Sequence, residues 1–171
     1  MDGESCIKKA YECILNGNFD EAITWFLQAI ELEPENAAFH YKCSLSCARS
    51  GKWELALQHA AKACELKPEH EEYRYHWDVV EARRLVADAK LMMASGEGTP
   101  AEIMAFLQEA RILDPLHGEA CFLAAQCCIQ LGRLHEAKLL AAEAYRLEPG
   151  LEEARRLYRQ IKKMSRRRGH E

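Results

Sequence analysis

The chain has 171 residues, 49% of them hydrophobic and 29% charged, with a formal net charge of −4. That balance excludes a charged disordered tail, a collagen and a membrane-embedded chain, and it supplies enough apolar surface for a core. The charge is uneven: residues 155–168 hold eight Arg or Lys and no acid, which leaves 15 basic against 27 acidic residues elsewhere, or −12.

No run approaches the ~20 apolar residues that a membrane span needs. The start, Met1-Asp2-Gly3-Glu4-Ser5-Cys6, has no apolar stretch, so no secretory signal is expected. Eight cysteines stand at 6, 13, 43, 47, 64, 121, 127 and 128 without a C-x-x-C pair. Free thiols in a reducing, cytoplasmic setting are the expectation.

In chain order the sequence repeats itself. Leu32-Glu33-Pro34, Leu66-Lys67-Pro68, Leu113-Asp114-Pro115 and Leu147-Glu148-Pro149 recur at intervals of 34, 47 and 34. Gly17, Gly51, Gly98 and Gly132 each stand 17 residues before one of these prolines. Ala22, Ala56 and Ala137 follow three of the glycines by five residues, and Ala29, Ala63, Ala110 and Ala144 follow all four by twelve. Glycine accepts the left-handed backbone that ends a helix, and proline stops the next one. Alanine lets two helices approach closely. Each period therefore predicts two helices joined by a glycine turn, in units of about 3–36, 37–70, 71–117 and 118–151. A lone helix pair cannot bury its apolar face, so neighbouring units must stack.

The third unit carries 13 extra residues. Its first helix, about Glu71 to Ala94, contains no Gly or Pro, and Thr99-Pro100-Ala101-Glu102 reads as a capping box that opens the next helix. The extra turns are expected on that first helix and in the loop after it. Beyond Pro149, the stripe Leu151, Ala154, Leu157, Tyr158, Ile161 and Met164 predicts a capping helix within 152–171, ending in the basic tail.

Gly17-Asn18-Phe19-Asp20-Glu21-Ala22, Gly51-Lys52-Trp53-Glu54-Leu55-Ala56 and Gly132-Arg133-Leu134-His135-Glu136-Ala137, with the later Ala and the Leu-x-Pro, resemble the tetratricopeptide repeat. The resemblance covers about 150 residues. It implies one all-α domain, a right-handed superhelical solenoid of four helix pairs plus a C-terminal cap. It also implies a non-enzymatic scaffold for a protein or peptide, and no cofactor.

No catalytic signature is present: H-E-x-x-H, G-x-S-x-G and a Gly-rich loop ending in Lys-Ser or Lys-Thr are all missing. His40, Cys43 and Cys47 share one helical face, which is conceivable for a metal. Their slots are those that pack helices together, so core packing is expected and no metal site is assigned. Cys13, Cys47 and Cys128 share one slot in three units and read as buried thiols.

In this family the first helix of each unit lines the concave surface. The resemblance therefore places there Ile7, Tyr11 and Ile14 from the first unit, and Tyr41, Lys42, Leu45 and Arg49 from the second. From the third it places Tyr75, His76, Val79 and Arg83, and from the fourth Phe122, Leu123, Gln126 and Gln130. Tyr41, Tyr75 and Phe122 fall in one slot and are expected as an aromatic row that anchors an apolar or amphipathic segment. The family's clamp for the acidic chain ends of heat-shock chaperones needs Lys and Asn where this chain has Ile7 and Tyr11, Asn where it has Lys42, and Lys and Arg where it has Glu72 and His76. That departure argues against a terminal-carboxylate clamp, although a chaperone-associated cofactor without one stays open.

Arg155, Arg156, Arg159, Lys162, Lys163, Arg166, Arg167 and Arg168 allow two further readings. One is contact with nucleic acid or an acidic surface. The other is a solvated cap face whose cations suit a helix C-terminus. No aromatic residue after Tyr158 and no nucleic-acid motif accompanies the charge, so the solvated face is preferred. Association into a homodimer through an end unit also stays open.

Overall fold

The computed structural model describes the backbone of residues 1–168 and the side chains of residues 1–166. Among these residues there are nine helices and no strand. They are α1 (Gly3–Leu15), α2 (Phe19–Leu32), α3 (Ala37–Arg49), α4 (Trp53–Leu66), α5 (Glu71–Ser95), α6 (Pro100–Leu113), α7 (Gly118–Gln130), α8 (Leu134–Leu147) and α9 (Glu152–Arg168). The all-α arrangement of helix pairs is the one the 34-residue period predicts.

The hairpin turns show why the glycines recur. Gly17, Gly51 and Gly132 adopt φ of +77°, +71° and +75°, where a Cβ is strained. The residue after each glycine donates its N–H to the carbonyl five back: Asn18 to Cys13 at 2.8 Å, Lys52 to Cys47 at 2.9 Å and Arg133 to Cys128 at 2.8 Å. This closure satisfies helix-end carbonyls that would otherwise lack a donor. The recurring alanines Ala22, Ala29, Ala56, Ala63, Ala110, Ala137 and Ala144 are all fully buried.

The insertion is now located. α5 has 25 residues where α1, α3 and α7 have 13 each, and the loop 96–99 has four residues where the other hairpin loops have three. Nearly all the extra chain is therefore helix. Thr99 forms the expected capping box: Glu102 N–H donates to Thr99 Oγ1 at 3.2 Å, and Thr99 N–H donates to Glu102 Oε2 at 2.7 Å.

The chain forms two compact units, Met1–Glu81 and Ala82–Glu171, and the boundary falls inside α5. In the first unit α1 packs on α2, α2 on α3 and α3 on α4. Its core gathers Cys6, Ile7, Ile23, Phe26, Phe39, Cys43 and Cys47 with Val80 from α5. In the second unit α6 packs on α7, α7 on α8 and α8 on α9. Its core gathers Leu85 and Val86 from α5 with Ile103, Met104, Leu107, Leu123, Leu140 and Ile161. Fully burying a side chain such as Phe26 or Leu107 stabilises by about 1.5–3 kcal/mol.

Candidate functional site

The expected partner-lining residues divide between the two units. In the first unit Tyr11 on α1 is 45% exposed, Leu45 on α3 is 42% exposed and Tyr75 on α5 is 63% exposed. Lys42 is half-buried, and its Nζ stands 5.7 Å from the centre of the Tyr11 ring. That contact ties α1 to α3 and brings one cation beside an exposed aromatic. Arg49, one turn past Leu45, is exposed and lies 6.0 Å from the Phe19 ring. Val79, one turn past Tyr75, is half-buried.

Other expected lining residues are taken up by packing. Ile7 is 3% exposed, inside the first core, because it faces the helices that close over α1. His76 is 9% exposed and stands 2.8 Å from Ser44 Oγ through its Nε2. Ser44 Oγ donates to the Ala56 carbonyl at 2.7 Å, so it must accept from His76 Nε2–H. The Tyr41 ring lies 4.8 Å from Tyr73 and 5.2 Å from His76, and its hydroxyl donates to Glu72 Oε1 at 2.9 Å. Burial, reinforced by Glu72, pushes the Tyr41 phenol up to about 12. Tyr41 therefore joins α3 to α5 rather than standing free.

In the second unit Arg83 is exposed, Gln126 is half-buried and Gln130 is exposed. Leu123 is 7% exposed and belongs to the core. Phe122 is half-buried against that core. Of the aromatic row expected from Tyr41, Tyr75 and Phe122, Tyr75 stands out into solvent while Tyr41 and Phe122 are half-buried, because these two have packing partners on neighbouring helices.

His40, Cys43 and Cys47 are all buried. His40 Nε2 lies 2.9 Å from the Pro34 carbonyl, which can only accept, so Nε2 carries the proton. In the neutral ring Nδ1 then accepts, and His59 Nδ1, 3.0 Å away, must donate to it. This leaves His59 Nε2 as a buried bare nitrogen with no hydrogen-bond partner among the described residues. Burial, and secondly the neighbouring His40, hold the His59 imidazole down to about 4. Sequence reading placed His40 in the core but missed His59, since nothing local couples residues 19 apart. The eight cysteines are free thiols, and Cys43 Sγ lies 3.9 Å from Cys47 Sγ.

On α9 the stripe is buried or half-buried, with Ala154 and Ile161 fully covered. Arg155, Arg156, Arg159, Lys162, Lys163 and Arg166 are exposed, as either reading of the basic end requires. Arg167 and Arg168 lie outside the described side chains. Among the described residues no helix is long and apolar enough to cross a membrane.

Comparison with known proteins bears on the repeat. Residues 10–49 match the family described as TPR repeat, and residues 94–161 match the one described as tetratricopeptide repeat. No curated protein matches the sequence. Among solved structures, MamA 41-end from Desulfovibrio magneticus RS-1 is 15% identical, with 96% of this chain and 95% of that one covered at a TM-score of 0.52. A second MamA crystal structure is 16% identical, covering 93% and 80% at 0.52. At such identity the likeness concerns the fold alone. The period, the glycine turns, the buried alanines and the two family matches agree: the chain belongs to the tetratricopeptide-repeat proteins.

Proposed function

We infer that this chain is a non-enzymatic adaptor that holds an apolar or amphipathic partner segment against α1, α3 and the first half of α5. The observation that carries the reading is the set Tyr11, Leu45 and Tyr75. These large apolar side chains stay exposed on the first helices of successive repeats, with Lys42 beside Tyr11 and Arg49 one turn past Leu45. Solvent-facing aromatics edged by cations suit a segment with apolar anchors and a few acidic contacts. A carboxylate clamp finds no support, because Ile7 and His76 are buried where it needs polar side chains.

The test is peptide selection from a random display library against the wild-type chain, with a Leu45→Ala/Tyr75→Ala variant as counter-target. Selected peptides should carry an aromatic or large aliphatic residue and should not bind the variant. Both positions are exposed, so the variant should keep its helicity. Selected peptides that bind the two proteins alike would overturn the assignment.

A further inference from the structure

The second unit holds a separate feature that this reading does not use. Between α8 and α9 lies a concavity of about 350 Å³ lined by Ala142, Tyr145, Arg155, Tyr158, Arg159 and Lys162. That volume is at the small end of ligand sites, which run from about 300 to 1,000 Å³. Helical spacing explains the arrangement. Arg155, Tyr158, Arg159 and Lys162 share one face of α9 at i, i+3, i+4 and i+7. Ala154, Leu157 and Ile161 hold the other face against the unit's interior. The two tyrosines make an apolar floor, and the three cations make its rim.

On α8, Arg146 pairs with Glu143 at 2.6 Å, and Arg133, just before that helix, pairs with Glu136 at 4.0 Å. Among the described residues no carboxylate pairs with Arg155, Arg159 or Lys162. Arg155 instead lies 5.7 Å from the centre of the Tyr145 ring, and Lys138 lies 6.0 Å from that of Tyr158. Positive charge is thus concentrated around an apolar hollow, with no carboxylate among the described residues paired to it. The geometry points to a docking site for an acidic peptide segment that carries one aromatic or large aliphatic anchor. The anchor enters the hollow against Ala142, Tyr145 and Tyr158, and flanking carboxylates pair with Arg155, Arg159 and Lys162. A single-stranded nucleic acid fits less well. It binds by stacking successive bases on open aromatic faces, and both tyrosines are half-buried.

The probe is a short fluorescent peptide with one phenylalanine between glutamates, titrated into the full chain by fluorescence polarisation. Wild type should bind it, and more weakly as salt rises. Replacing the phenylalanine by alanine, or introducing Arg159→Ala/Lys162→Ala, should each weaken binding about tenfold. Ala142→Glu should do the same. It sets a carboxylate at an exposed position on the floor, where circular dichroism should show the fold unchanged. Leu45→Ala/Tyr75→Ala should leave this binding intact, so the site and the groove of the first unit fail or succeed separately. No binding, or equal binding by all variants, would overturn the proposal. So would a single-stranded oligonucleotide that binds more tightly than the peptide and is lost in the same variants.

Discussion

The two compact units follow one repeat pattern with different cores. All the buried polar side chains, His40, Ser44, Ser46, His59 and His76, lie in residues 1–81, and none is found among the described residues of the second unit. The first unit has 8 basic against 15 acidic residues, or −7, while residues 82–171 have 15 against 12, or +3. Small alanines and a glycine turn are enough to specify the hairpins. What fills the space between hairpins is free to vary, and that variation gives one unit a hydrogen-bonded histidine network and the other an apolar interior. All three tryptophans, Trp25, Trp53 and Trp77, belong to the first unit, so fluorescence reads that unit alone.

The largest effects should come from cavities. Phe26→Ala in the first core should cost about 3–5 kcal/mol, and Leu107→Ala in the second about 2–5 kcal/mol, because both side chains are fully buried. Phe26→Ala should lower the unfolding midpoint followed by tryptophan fluorescence. Leu107→Ala should move the far-ultraviolet dichroism midpoint more than the fluorescence one. Equal shifts by both probes would show that the units unfold as one body.

Acid should separate the units next. The folded chain holds His59 at about 4, below the 6.5 of an exposed imidazole, so the neutral ring is the folded form. The unfolded chain binds the extra proton in that window, so stability is present above pH 6.5 and is lost as pH falls toward 4. The loss is about 3 kcal/mol. His59→Asn keeps a donor for His40 Nδ1 but cannot titrate, and should flatten the acid slope seen by tryptophan fluorescence. An unchanged slope would remove His59 as its source.

Smaller effects belong to the turns. Gly51→Ala forces a Cβ into φ +71° and should cost about 1–2 kcal/mol. Thr99→Ala in the second unit removes a capping box and should cost about 1 kcal/mol. Thermal melts of the two variants check both.

The helices, the turns and the site of the insertion were legible because their causes are local. A glycine at positive φ, an alanine at a helix crossing and a Thr-x-x-Glu cap each act within a few residues. The site was only partly legible. Helical spacing put Tyr41, Tyr75 and Phe122 in one slot but could not show that Tyr41 reaches Glu72, 31 residues away, or that Phe122 packs inward. Ile7 and Leu123 read as groove residues, yet the helices beside them cover them. The hollow under Arg155 and Arg159 depends on how α9 lies on α8, which no spacing within one helix reveals.

The central claim is that the exposed apolar side chains of the first unit hold a partner segment. Isothermal titration of a selected peptide into wild type and into Leu45→Ala/Tyr75→Ala, at matched thermal stability, tests it most directly. The account predicts affinity at least about tenfold weaker for the variant. Equal affinity, with both proteins folded, would contradict it.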